Sequence, residues 1–85
     1  MYTVIVDKQV AKQIEKIPTV FRTRICDAIA SLGLDPYPQG VVKLVGETGL
    51  YRIRVGDYRI VYEIQEKIIT VTITKVAHRK HVYKK

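Results

Sequence analysis

The stretch that most constrains this chain is Leu50 to Val61, LYRIRVGDYRIV. Two runs of β-forming residues flank Gly56-Asp57. Gly tolerates a positive φ, so a Gly-first two-residue connection suits a tight hairpin turn. Pairing Val55 with Tyr58 fixes the register: Arg54 falls opposite Arg59, and Arg52 opposite Val61. Side chains alternate faces along a strand, so Arg52, Arg54 and Arg59 share one face. Tyr51, Ile53, Val55, Tyr58, Ile60 and Tyr62 share the other, which is the expected core face. Like charges directly opposite one another destabilise a strand pair. A face that gathers three guanidinium groups therefore points to an anionic ligand. The competing reading is a solvated strand face whose arginine stems cover apolar surface while the heads stay in water.

The remaining charge favours the anion. Residues 1–42 carry five Lys/Arg and four Asp/Glu, whereas residues 43–85 carry ten Lys/Arg and four Asp/Glu. Nearly all of the net charge of +7 thus lies on the hairpin half and the tail. Such a field attracts phosphates, or an acidic protein partner. The chain of 85 residues is short enough to be a single domain, residues 1–85, burying about 60–65% of its unfolded surface. Its one cysteine, Cys26, rules out an intrachain disulfide and fits a reducing cytoplasm. No apolar run approaches the length of a membrane span, and the N-terminus is charged too early for a signal peptide.

In chain order, Tyr2 to Val6 reads as a first strand, followed by Asp7 as a helix N-cap. Val10, Ile14 and Ile17 recur at helical spacing. Pro18 ends that helix, and a second runs from about Thr19 to Leu32 with Phe21, Ile25, Ala28, Ile29 and Leu32 as its apolar stripe. Cys26 is expected to pack on the apolar side, and Gly33 to cap the helix. Residues 33–40 form a Pro/Gly loop, and Val41 to Gly46 a short extended segment. After the hairpin, Glu66-Lys67 is expected to turn the chain so that Gln65 pairs with Ile68. Ile69, Val71 and Ile73 then join the core, and Thr72 and Thr74 lie beside Val61 and Arg59. The fold class is α+β: an N-terminal strand, then an antiparallel helical hairpin packed on a mainly antiparallel twisted sheet.

No Gly-rich phosphate loop is present, and His78 and His81 have no Cys or carboxylate at metal-ligand spacing. No cofactor is expected. What remains is a cationic, aromatic set: Arg52, Arg54, Arg59, His78, Arg79, Lys80, His81 and Tyr83. Arginine binds phosphate bidentately, and tyrosine stacks on bases. RNA supplies its own nucleophile, the 2′-OH. Its attack on the adjacent phosphate needs a base, an acid and fixed cations aimed where charge develops on the phosphorane. Taken singly, the two histidines also read as solvated tail residues, and Tyr83 as an apolar plug on the sheet edge.

Three segments together carry a resemblance: KLVG from Lys43 to Gly46, LYRIRVGDYRIVYEI from Leu50 to Ile64, and HRKHVY from His78 to Tyr83. In this order the chain resembles the RelE/ParE superfamily of toxins, and the closing segment resembles the RelE branch. The resemblance implies a type II toxin of the RelE-like microbial RNase fold, an mRNA interferase that cleaves mRNA in the ribosomal A site without a metal. By the same resemblance Arg54, Arg59, Arg79 and Tyr83 are catalytic. Arg52, Lys43, His78, Lys80 and His81 are the expected RNA- or ribosome-binding residues. Lysines stand elsewhere in the family where this chain has Arg52 and Arg54. Arginine is a poor general base, so either Arg54 acts only electrostatically or His81 or His78 takes the proton. The implied partner is a RelB-like antitoxin, through which the pair contacts operator DNA, and no membrane is involved. The alternative is a ParE-like gyrase inhibitor without nuclease activity; a third reading is a basic RNA-coating module without turnover.

Overall fold

The hairpin forms in the register its sequence dictates. In the computed structural model, which describes residues 1–46 and 48–78, the elements are β1 (Thr3–Val6), α1 (Lys8–Glu15), α2 (Thr19–Leu32), β2 (Val42–Lys43), β3 (Leu50–Val55), β4 (Tyr58–Gln65) and β5 (Thr70–His78). Val55 pairs with Tyr58, Arg54 with Arg59 and Arg52 with Val61. Gly56 takes φ +59° at the first turn position, where a side chain would be strained. The strand order is β1-β5-β4-β3-β2. The three long strands form an antiparallel meander, and β1 joins its edge parallel to β5. The sheet is therefore mixed but mostly antiparallel, with two helices packed on it, as the fold class anticipates.

The core lies between the helices and one sheet face. Val10, Ile14 and Ile17 meet Ile25, Ile29 and Leu32 above Ile53, Ile60, Tyr62, Ile64, Val71, Ile73 and Val76. Each fully buried aliphatic side chain here contributes about 1.5–3 kcal/mol relative to exposure. Asp7 occupies the N-cap of α1, but its side chain makes no capping bond; its carbonyl accepts from Ala11 N–H at 2.9 Å. Gly33 caps α2 in helical rather than left-handed geometry, φ −67°. Its glycine identity follows from crowding: a Cβ there would meet Val4 Cγ2 at 3.1 Å and the Tyr2 carbonyl at 3.2 Å.

Three expectations are corrected. Cys26 is exposed, because it sits one residue past Ile25 and so turns away from the buried stripe. Phe21 is 41% exposed, though its ring contacts Tyr58 at a centroid distance of 5.9 Å. The β4–β5 connection is longer than two residues. A single 3₁₀ turn, Glu66–Ile68, leads to Ile69 in the left-handed region at φ 49°, so Ile69 is exposed rather than buried. Gln65 consequently pairs with Thr70, and the register then shifts again: Tyr62 faces Ile73 whereas Val61 faces Lys75. Thr74 is the extra residue of a β-bulge, its Oγ1 donating to the Val61 carbonyl at 3.2 Å. The bulge explains why both Ile73 and Val76 are buried despite their odd spacing.

Candidate functional site

One face of the sheet carries the helices, and the other carries the arginines. Across the strands the arginine face has three rows. Ala77, Arg59 and Arg54 form the row nearest the hairpin turn. Lys75, Val61, Arg52 and Val42 form the next, and Thr72, Glu63 and Leu50 the third. Thr72 and Thr74 thus do not flank Val61 and Arg59 as expected; Lys75 and Ala77 take those places. Lys75 is the cation that sequence reasoning missed, because only the bulge brings it opposite Val61. No periodicity in the sequence signals that extra residue.

The three arginines differ in setting. Arg54 is exposed and Arg52 half-buried, and neither side chain makes a hydrogen bond or ion pair among the described residues. Arg59, directly opposite Arg54, is 4% exposed. It is therefore packed, and not solvated as the competing reading of this face has it. A buried charge interacts more strongly than an exposed one, because little water remains to screen it. A buried guanidinium beside an exposed one is a cationic pair with one desolvated and one solvent-screened member.

Two other expected binding residues lie elsewhere. Lys43 pairs with Tyr51, which puts it on the helix side of the sheet. His78 pairs with Tyr58, also on that side, with its ring edge-on to the tyrosine at 5.2 Å. The cause is parity: both positions are one residue out of phase with the arginines. Arg79, Lys80, His81 and Tyr83 fall outside the described residues. No cluster of three or more His, Cys, Asp or Glu suited to a metal occurs among the described residues. Nor is any described helix long and apolar enough to cross a membrane.

The opposite end of the sheet is held by phenols. Tyr2 donates to Glu66 Oε1 at 2.7 Å, and Tyr37 donates to the other oxygen, Oε2. The buried Tyr62 donates to the Pro36 carbonyl at 2.8 Å, and its ring stacks on Tyr51, which meets Tyr37 edge-on. The two phenol hydrogen bonds hold the Glu66 carboxyl below its ordinary range. The same carboxylate raises the pKa of Tyr2 and of Tyr37, while burial raises that of Tyr62.

This architecture has known counterparts. The chain matches the family of ParE toxins of type II toxin–antitoxin systems over residues 4–83. Toxin RelE3 of Methanocaldococcus jannaschii is 34% identical over 80 residues, which span 89% of each chain. A chain of the archaeal RelE–RelB complex from Pyrococcus horikoshii is 34% identical and superposes with a TM-score of 0.82, over 92% of this chain and 94% of that one. A chain of the RelB–RelE antitoxin–toxin complex from Methanococcus jannaschii is 28% identical, with a TM-score of 0.79 over 94% of this chain and 95% of that one. Two helices on one side of such a sheet and arginines on the other are thus the frame of a type II toxin. The chain belongs to the ParE toxin family, within the RelE/ParE superfamily, and these relatives in sequence and structure carry the RelE name.

Proposed function

We propose that this toxin is a ribosome-dependent endoribonuclease that cleaves mRNA in the A site and so stops translation in the cytoplasm. The observation that carries the reading is the Arg54–Arg59 pair, directly opposed on the sheet face away from the helices, with Arg52 in the next row. Two opposed guanidinium groups repel one another, and in this reading the substrate phosphate offsets that repulsion. The mRNA 2′-OH attacks the adjacent phosphorus, the bond to the 5′ oxygen breaks, that oxygen leaves as a hydroxyl with a proton drawn from water, and a cyclic phosphate remains on the upstream product. Arg59, held in place, stabilises the phosphorane's extra negative charge as it develops. Arg54 and Arg52 hold the flanking backbone. With His78 on the helix side, the reading gives Arg54 an electrostatic role and passes the 2′ proton to His81. Arg79 and Tyr83 keep the roles that the resemblance implies, an added cation and a base-stacking ring, with Lys80 contacting the ribosome.

The partner in this reading is a RelB-like antitoxin that neutralises the cationic surface, as the RelE–RelB complexes of the archaeal relatives suggest. Contact with operator DNA runs through the antitoxin. Primer extension on translating ribosomes tests the reading. Discrete cuts at A-site codons are expected with the wild type and strongly reduced with Arg59→Ala. Inhibition of plasmid supercoiling by gyrase, with no cuts, would put the chain functionally with ParE instead.

A further inference from the structure

The β4–β5 bulge decides which face Lys75 occupies. Tyr62 pairs with Ile73, and Glu63 with Thr72. Continued without interruption, that register would set Lys75 opposite Ile60, which is fully buried, and Val76 opposite Arg59. The extra residue Thr74 reverses both outcomes. Val76 instead pairs with Ile60 in the core, and Lys75 pairs with Val61 on the arginine side. Bulges re-aim side chains in this way and recur next to functional sites. Lys75 is exposed, and its side chain makes no hydrogen bond or ion pair among the described residues.

Lys75 completes a pattern on that face. Neighbouring strands lie about 4.8 Å apart, so the backbones of Lys75 and Arg52 stand about 10 Å apart, one on each side of Val61. Both long side chains can reach a single group lying over that valine. Their row lies two residues, about 7 Å, along β4 from the Arg54–Arg59 row. That is about the step between successive phosphates of an extended RNA strand. One row further on the pattern ends, because Thr72, Glu63 and Leu50 supply a carboxylate and no cation. We propose that Lys75 is a further substrate-binding residue of this site, which with Arg52 holds the RNA phosphate next to the scissile one. This inference rests on the nuclease reading above. β1 pairs only with Thr70–Ile73, so Lys75 lies past its reach, and a lysine on such an open edge can serve merely to discourage strand pairing. That role does not couple Lys75 to Arg52, so the two roles are separable.

The test uses the full-length chain and a labelled six-nucleotide 2′-O-methyl RNA, which has no free 2′-OH to attack and stays intact. Fluorescence anisotropy follows binding as salt is raised. Lys75→Ala should weaken binding at least about threefold at low salt and lower the slope of log affinity against log salt by about 0.7, the change for one phosphate contact on a single strand. Lys75→Arg should restore both. Lys12→Ala removes an exposed lysine of α1, on the helix side of the sheet, and should leave both nearly unchanged. Combined with Arg52→Ala, the loss should fall short of the sum of the two, because both side chains hold one phosphate. Equal effects of Lys75→Ala and Lys12→Ala, or losses at Lys75 and Arg52 that simply add, would overturn the proposal. So would a wild type that does not bind the oligonucleotide. Failure here and failure of the ribosome assay are distinguishable. Cuts on the ribosome with no Lys75 effect on binding remove Lys75 alone, whereas a Lys75 effect with no cuts removes the nuclease step and keeps the phosphate site.

Discussion

The two ends of the sheet handle charge in opposite ways. At the hairpin end, Arg54 faces Arg59 with Arg52 in the next row, and neither Arg52 nor Arg54 has a partner among the described residues. At the other end, a single carboxylate, Glu66, accepts from two phenols and joins the residue before β1, the loop after α2 and the β4–β5 turn. Glu66 is one of only four carboxylates in residues 43–85. Its engagement by tyrosines keeps that negative charge away from the arginines. One end uses its polar groups to hold the fold, and at the other the side chains of Arg52 and Arg54 are unengaged among the described residues. This division of labour is common where a rigid scaffold carries a charged site.

The strongest way to break the comparison is to remove the held cation. Arg59→Ala should lower the rate of mRNA cleavage about 10²–10³-fold, the range for losing one preorganised charge or donor. Arg54→Ala should cost less, because an exposed charge is screened by water. Single-turnover cleavage on programmed ribosomes measures both, with thermal unfolding as a check that Arg59→Ala still folds. Equal losses at the two positions would mean that burial of Arg59 confers no catalytic advantage.

At the other end the expected effect is on stability and not on cleavage. Tyr62→Phe deletes the hydroxyl that donates to the Pro36 carbonyl and leaves that buried acceptor unmatched, at about 1 kcal/mol. Urea unfolding reads the loss, and cleavage per folded molecule should be unchanged. A drop in activity without a drop in stability would show that the two ends are coupled.

Much of this division was legible in the sequence. Alternation around Gly56-Asp57 specified the hairpin, its register and the shared face of Arg52, Arg54 and Arg59, because a one-residue slip would have put Ile53 and Ile60 in water. Helix α2 was legible from its boundaries, Pro18 and Gly33. The β4–β5 register was not, because it depends on Ile69 adopting a left-handed backbone and on the bulge at Thr74, and neither residue type favours such a conformation. The missed register is also why Lys75 was overlooked. The Glu66 cluster was invisible for a different reason. Its tyrosines come from positions 2 and 37, far apart in the chain, and only the packed fold brings them together.

Acid should loosen the tyrosine end first. Glu66 has its pKa lowered in the folded state by hydrogen bonds from Tyr2 and Tyr37. A depressed carboxyl contributes stability that is complete above its unfolded pKa and is lost as pH falls through the folded one. Wild type should therefore lose stability below the ordinary glutamate range, and Glu66→Gln should be less stable at neutral pH but flatter against acid. Urea midpoints between pH 3 and 7 compare the two, and parallel curves would remove Glu66 as the pin. The raised tyrosines carry the opposite sign: their contribution is complete below the ordinary phenol range and fades as pH rises.

The smallest effects come from two glycines that serve the two ends for different reasons. Gly33 has a helical φ that any residue accepts, but an added Cβ would lie 3.1 Å from Val4 Cγ2, 3.2 Å from the Tyr2 carbonyl and 3.3 Å from the Ala30 carbonyl. Two of those three neighbours are backbone oxygens, and the Gly33 carbonyl is itself fixed by Tyr2 N–H at 2.8 Å. They have little room to give, so Gly33→Ala should cost about 1 kcal/mol despite alanine's better helix propensity. Gly56 is the reverse case. Nothing lies within 4 Å of its missing Cβ, and only its φ of +59° argues against a side chain. Asparagine tolerates that region, so Gly56→Asn should change stability by less than about 0.5 kcal/mol and leave the arginine pair in register. Chemical unfolding of both variants separates crowding from backbone strain. A larger loss at Gly56 than at Gly33 would mean that the hairpin end, and not the tyrosine end, is the more tightly built.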